Sequence, residues 1–243
     1  MSTLNAGIKL TWLGHATFLV ESPNGKRILI DPWVDGNPAC PDQYKGGGIK
    51  ELDIMLCTHG HFDHIGDAPP IAKATGCTVV GIFELINWLQ KKGVAEEKCI
   101  PMNKGGTVDV GGIKVTMTHA VHSCGILDDD GQIIYGGEAA GYVIEFENGY
   151  KVYHAGDTAV FNDMALIGEL YQPDLCLLPI GDHFTMSPKE AAKAIRLLNA
   201  KAVVPMHFGT FPLLTGTPDK LRELTADIPG LQIYALEPGQ TLE

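Results

Sequence analysis

Between Cys57 and Asp67 the stretch CTHGHFDHIGD places three histidines and two aspartates in eleven residues, directly behind the apolar run from Asp53 to Cys57. His59 and His61 are two apart, and on an extended chain such residues project to the same side, so they can grip one ion. Asp63 and His64 follow where the chain is expected to turn into a helix that Pro69-Pro70 could start, and they can face a second ion. Gly60 and Gly66 let the backbone pass close to the metals without a side-chain clash. Imidazoles and carboxylates together suit zinc, iron or manganese, and no cysteine is needed. A closed structural zinc site is satisfied by four ligands, yet all nine histidines lie before residue 208, each in or near a short motif of this kind.

The elements that must position these residues are legible as apolar runs. Strand-like segments are expected at 8–13, 17–20, 27–30, 53–57, 78–81, 113–119, 141–147, 151–154, 174–180, 202–205 and 231–236. Helices are expected at 68–75, 83–92, 160–170, 187–199 and 218–227. Ser187-Pro188-Lys189-Glu190 is a good helix start, with a serine cap, proline at the first helical position and glutamate three residues after the cap. Hairpin signals at 23–25, 109–112 and 147–149 favour antiparallel pairing in the first half, whereas helix and strand alternate in the second. No linker separates the halves. The expectation is one domain over 1–243, α/β in class, with two sheets packed face to face and helices outside, a four-layer αββα sandwich.

The metal-type stretch, the strand before it and the helix after it resemble the metallo-β-lactamase superfamily of metal-dependent hydrolases. The resemblance implies the αββα fold with a metal centre at one edge of the sandwich, and it says where further ligands should lie. Asp31, after the strand ending at Ile30, matches an aspartate that braces the metal loop without touching metal. His122 in HAVHS matches the third motif; His119 in the same stretch alternates with Ile113, Val115 and Met117 and reads as core. Asp157 in HAGDT matches an aspartate that bridges both ions, and His207 in PMHFG matches the last ligand. The implied set is His59, His61 and His122 for one ion, Asp63, His64 and His207 for the other, and Asp157 for both.

Two divalent ions, zinc first and manganese or iron as alternatives, would stand roughly 3.5 to 4 Å apart and lower the pKa of a shared water toward about 7. Attack on a carbonyl or phosphorus would follow, with the ions stabilising the oxyanion. Oxygen-reducing diiron relatives carry glutamate where this chain has His61, which favours hydrolysis over redox chemistry. Asp63 and Asp157 are the expected catalytic carboxylates. His183, just past the buried run ending at Ile180, is expected at the same sandwich edge as His207, as a catalytic group that binds substrate or transfers a proton. His15 in the turn LGHAT and Asp182 beside His183 are expected to support ligands or meet substrate, and His154 to be core.

The motifs GHATF, HAVHS, HAGDT and PMHF together resemble a compact bacterial branch of metal-dependent hydrolases, more distantly similar to ascorbate-6-phosphate lactonase and N-acylphosphatidylethanolamine-hydrolysing phospholipase D. The match runs from about residue 7 to 240 and does not fix the substrate, which is expected to be a small molecule with an ester, lactone or phosphodiester bond. The two other readings are a metal-binding module without turnover and an iron-dependent redox enzyme.

A formal charge of −11, with the longest basic run being Lys91-Lys92, argues against nucleic acid or an anionic membrane as an electrostatically captured partner. Neither a signal peptide nor an apolar span is read, so a cytoplasmic protein without stable membrane association is expected. Six cysteines without CxxC spacing are expected to be reduced and mostly buried. A homo-oligomer is left open.

Overall fold

The computed structural model describes Leu4 and residues 6–243; the first three residues and Asn5 of the expected 1–243 domain lie outside the described residues. The first sheet is built from β1 (Lys9–Trp12), β2 (Phe18–Glu21), β3 (Arg27–Ile30), β4 (Ile54–Leu56), β5 (Thr78–Ile82) and β6 (Cys99–Met102) in that spatial order. The second contains β7 (Thr107–Val110) and β8 (Ile113–His119). A small hairpin of β9 (Gly125–Leu127) and β10 (Ile133–Tyr135) stands apart from both sheets. The second sheet continues with β11 (Ala140–Glu145), β12 (Lys151–His154), β13 (Leu175–Pro179), β14 (Ala202–Met206) and β15 (Gln232–Ile233), in the spatial order β15-β14-β13-β12-β11-β8-β7. The last strand, β16 (Thr241–Leu242), returns to the first sheet beside β1.

The helices are α1 (Phe62–Ile65), α2 (Ala68–Thr75), α3 (Phe83–Lys91), α4 (Met164–Tyr171), α5 (Pro188–Leu198) and α6 (Pro218–Leu224). The alternation of β13 shows how the layers form: Leu175 and Leu177 pack between the sheets, while Cys176 and Leu178 pack outward against Ala191, Ile195 and Leu198 of α5. On the other side Leu85, Ile86 and Leu89 of α3 cover the first sheet. The αββα sandwich is therefore present. The start of α5 carries the full reciprocal cap, Ser187 accepting from the Glu190 amide and Glu190 reaching back to the Ser187 amide.

The three hairpin signals each join an antiparallel pair, β2 with β3, β7 with β8 and β11 with β12, but much of the first sheet departs from antiparallel pairing. β1, β2 and β3 are antiparallel, but β3, β4, β5 and β6 run parallel. The reason lies between the strands: α1 and α2 carry the chain from β4 to β5 and α3 carries it from β5 to β6, and a helical crossover returns the chain in the same direction. Parallel pairing also puts the C-terminal ends of β3 and β4 at one edge. In the second sheet β12, β13 and β14 are likewise parallel, so their C-terminal ends share an edge. Among the described residues no helix is long and apolar enough to cross a membrane. All six cysteines are free, Cys99 half-buried and the others buried.

Candidate metal centre

Every residue of the centre is delivered by the end of a strand. β4 runs into Thr58-His59-Gly60-His61, and α1 then carries Asp63 and His64. This helix is separate from α2, so Asp63 and His64 sit within a turn of their own rather than at the start of the Pro69-Pro70 helix. β3 delivers Asp31, β8 leads to His122, β12 to Asp157 and β14 to His207, while His15 occupies the turn between β1 and β2. His15, Asp31 and His207 all adopt left-handed backbone, with φ of 55°, 50° and 55°. That conformation costs a non-glycine residue on the order of 1–3 kcal/mol, and its recurrence at three strand ends marks a place where function overrides local preference.

The side chains converge on one carboxylate oxygen. Asp157 Oδ2 lies 3.0 Å from His207 Nε2, 3.2 Å from His64 Nε2, 3.6 Å from His122 Nε2 and 3.9 Å from His59 Nε2. His61 Nδ1 lies 3.0 Å from His59 Nε2 and 3.3 Å from His122 Nε2. Around Asp157 much is left unsatisfied: His64 Nε2, both ring nitrogens of His207 and Asp157 Oδ1 are buried with no hydrogen-bond partner. Buried polar atoms are rarely left so. Three overlapping groups of donors have the spacing to hold an ion: His59, His61 and His122; His59, His64 and Asp157; and His15, Asp63, His64 and His207. Nitrogen and carboxylate donors with unspent lone pairs pointing at one another fit divalent cations, so the residues present suit the group the fold implies.

Behind the cluster stands a hydrogen-bonded brace. Asp31 accepts from the Thr58 amide at 2.8 Å and the Thr58 hydroxyl at 2.7 Å, and its Oδ2 is 2.7 Å from His64 Nδ1. The Thr58 hydroxyl is also 3.0 Å from His59 Nδ1. Gly60 is needed for a reason other than metal approach: a Cβ there would stand 2.5 Å from Ile126 of the β9–β10 hairpin. The Gly60 amide donates to Cys124 Sγ at 3.3 Å, tying the His59–His61 loop to the segment after His122. Gly156, at φ 64°, is fixed because a Cβ would meet the Ala140 carbonyl at 2.4 Å just before Asp157.

Burial and neighbouring charge set the protonation states. Burial pushes His59 well below its ordinary pKa, and His64 adds to the shift. Burial also lowers His61 and His122. Burial by itself would raise Asp157, but His207 and His64 hold its carboxyl well below the usual range. Burial would likewise lower His64, yet Asp157 and Asp31, one at each ring nitrogen, hold it well above the ordinary imidazole value. His15 is brought down to about 4 by burial and by His207. His15, His59, His61 and His122 are thereby held neutral beside the ionised carboxylates of Asp63 and Asp157, the form that metal binding requires, whereas His64 would have to release a proton to take an ion.

The structure brings together His59, His61, Asp63, His64, His122, Asp157 and His207, with Asp31 and His15 against them. His183 and Asp182 are not brought into the cluster. Both are exposed at left-handed φ of 57° and 67°, and the His183 amide donates to Asp182 Oδ1 at 2.8 Å. His154 is buried, with Nε2 3.1 Å from the Ala16 carbonyl, as a core residue should be. His119 is not core: it is exposed at the end of β8 with Lys104 Nζ 3.0 Å from its Nδ1, because the last residue of the strand runs past the covered part of the sheet. Thr58 and Cys124 were not foreseen. Thr58 had a signal in its place, immediately before His59 at a strand end; Cys124 had none beyond its nearness to His122.

The open side of the cluster is formed by His61, Asp63 and His122, which are half-buried, whereas His59, His64, Asp157 and His207 are almost fully enclosed. Residues 26–208 match the model of the Beta-lactamase superfamily domain. The chain is 57% identical over 235 residues to a UPF0173 metal-dependent hydrolase of Koribacter versatilis, covering 97% of each. It is 57% identical over 238 residues to another from Solibacter usitatus, covering 97% of this chain and 100% of that one. Among solved structures, Igni18, described as a novel metallo hydrolase from the hyperthermophilic archaeon Ignicoccus hospitalis, superposes with a TM-score of 0.84 at 37% identity over 97% of both chains. The chain belongs to the metallo-β-lactamase superfamily, among the UPF0173 metal-dependent hydrolases.

Proposed function

We propose that the chain hydrolyses an ester, lactone or phosphodiester bond of a small molecule at a dinuclear centre, with zinc as the first choice of metal and manganese or iron as alternatives. The observation that carries this reading is the gathering of four imidazole Nε2 atoms within 3.9 Å of one buried oxygen, Asp157 Oδ2. A single carboxylate oxygen has two lone pairs and cannot accept from four imidazoles, whereas cations between them can satisfy all.

Such ions would supply Lewis acidity for hydrolysis at neutral pH. The protein's part is placement. His59, His61 and His122 would hold one ion and Asp63, His64 and His207 the other, with Asp157 available to both. Asp31 fixes the ring of His64 and, through Thr58, that of His59. The enclosed histidines keep bulk water from the far side, so a substrate enters over His61, Asp63 and His122. His183 and Asp182, exposed on the loop after β13, are assigned to substrate contact from that solvent side. The Asp63 carboxyl, held below its usual range by the His15 hydrogen bond and by His64 against the opposing effect of burial, stays ionised there.

The test is elemental analysis of the protein as purified, followed by assay of zinc-, manganese- and iron-loaded protein on lactone, thioester, carboxyl-ester and phosphodiester panels. Turnover in one class with about two equivalents of metal is expected. Failure of every metal form on every class would leave a metal-binding module without turnover.

A further inference from the structure

His15 is fully buried in a turn, in a backbone conformation that its own residue type disfavours, and the reading above gives it nothing beyond one hydrogen bond to Asp63. Its contacts define a task. His15 Nε2 is 3.0 Å from Asp63 Oδ2, and its Nδ1 is 3.1 Å from the Thr210 hydroxyl. A neutral imidazole carries one N–H, and a carboxylate can only accept, so Nε2–H donates to Asp63 and Nδ1 accepts from Thr210. Both ring nitrogens are thus engaged by protein. That separates His15 from His64 Nε2 and both nitrogens of His207, which have no partner. Although its spacing to Asp63, His64 and His207 would allow ligation, His15 has no lone pair left to give.

The second part of the task concerns His207. A ligating histidine ordinarily has its other ring nitrogen hydrogen-bonded, which fixes the ring. His59 has Thr58 and His64 has Asp31 in that role, but neither nitrogen of His207 has one. What holds His207 is His15: the two rings lie against each other with centroids 3.8 Å apart, and the His207 amide donates to the His15 carbonyl at 2.9 Å. Trp33 packs edge-on against the His15 ring at 5.1 Å, and the Trp12 indole N–H donates to the His15 carbonyl at 2.9 Å, so the turn itself is anchored.

We propose that His15 is a positioning residue that fixes Asp63 and His207 together, and so sets the affinity of the second ion site without serving the first. The inference rests on the two-site reading. His59, His61 and His122 make none of these contacts, so the effect of losing His15 should be confined to one ion.

The experiment is titration of metal-stripped protein with Zn²⁺ by calorimetry and with Co²⁺ by visible absorption, on wild type, His15→Ala, His15→Gln and Thr210→Val, with folding checked by circular dichroism. Wild type should bind two equivalents. In His15→Ala one of the two sites should lose about 10- to 100-fold in affinity, the usual cost of removing such a support, while the other keeps its affinity and its Co²⁺ spectrum. His15→Gln, whose amide can still donate to Asp63, should recover part of the loss, and Thr210→Val should show a smaller one. Equal weakening of both sites alongside a lower melting temperature would overturn the proposal in favour of a purely structural histidine, as would two unchanged sites. A Co²⁺ spectrum showing one nitrogen fewer in His15→Ala would overturn it in favour of direct ligation. A wild-type protein that binds only one ion would instead refute the two-site reading, a result seen before any variant is made.

Discussion

The enclosed and the open sides of the centre are held in place by different means. On the enclosed side His59 and His64 each have their second ring nitrogen tied to a buried partner, Thr58 and Asp31, and those partners are tied to each other. On the open side the hydroxyl 3.2 Å from His61 Nε2 belongs to Ser123, an exposed residue, and the segment that carries His122 is steadied through Cys124. On the proposed reading, a site braced by buried partners at the back and by an exposed hydroxyl at the front keeps its donors ready for metal while its mouth stays open to solvent. That is the division a hydrolase needs, because preorganisation of the charged groups serves catalysis and the mouth must admit a molecule from solvent.

Removing the metal should have the largest effect and should act on both sides at once. Chelation is expected to abolish turnover and to lower the melting temperature, since an ion at about a hundred times its dissociation constant adds about 2.7 kcal/mol to folding. Added Zn²⁺ should restore both. Turnover that survives complete removal, verified by elemental analysis, would contradict the role given to the whole cluster.

The next effect separates the two sides. Asp31→Ala should weaken metal binding about 10- to 100-fold and destabilise the metal-free protein by about 1–3 kcal/mol, because the buried Thr58 amide and hydroxyl lose their acceptor. Ser123→Ala should leave stability and metal affinity within measurement error, since the group it removes is exposed. Metal titrations and denaturant melts on the two variants check the contrast, and similar losses in both would erase it.

How much of this could be seen in the sequence follows from how local each feature is. The ligand-rich stretch from His59 to His64 was legible because its spacing is short and its types are unusual, and Asp157 and His207 were legible through motifs at strand ends. The fold was legible in the buried strands β13 and β14, which are apolar along their whole length. Among the strands that escaped notice are β6 and β7 at sheet edges and β9 and β10 of the small hairpin: Pro101 interrupts β6, β7 alternates only weakly, and an edge needs no sustained apolar pattern. The exposure of His183 was beyond reach for another reason. It follows β13 at the edge that β13 shares with β14, as expected, but Asp182 and His183 are successive left-handed residues with exposed side chains, and nothing in their spacing from Ile180 says so. The bracing of His207 by His15 spans nearly the whole chain and rests on ring geometry, which no local pattern encodes.

The smallest of these effects concerns the loop after β13. His183→Ala is expected to raise KM several-fold while leaving kcat, metal content and melting temperature close to wild type, because the side chain is exposed and lies outside the cluster. A large fall in kcat with KM unchanged would mean that His183 acts on the reacting bond, and would move part of the chemistry to the open side.

The most direct test of the central claim is the metal content of Asp157→Ala beside wild type, measured by elemental analysis on folded protein. The account predicts about two equivalents in wild type, less than one in the variant and no turnover in the variant, because Asp157 Oδ2 is the point on which four imidazoles converge. Two retained equivalents with full turnover in Asp157→Ala would contradict it.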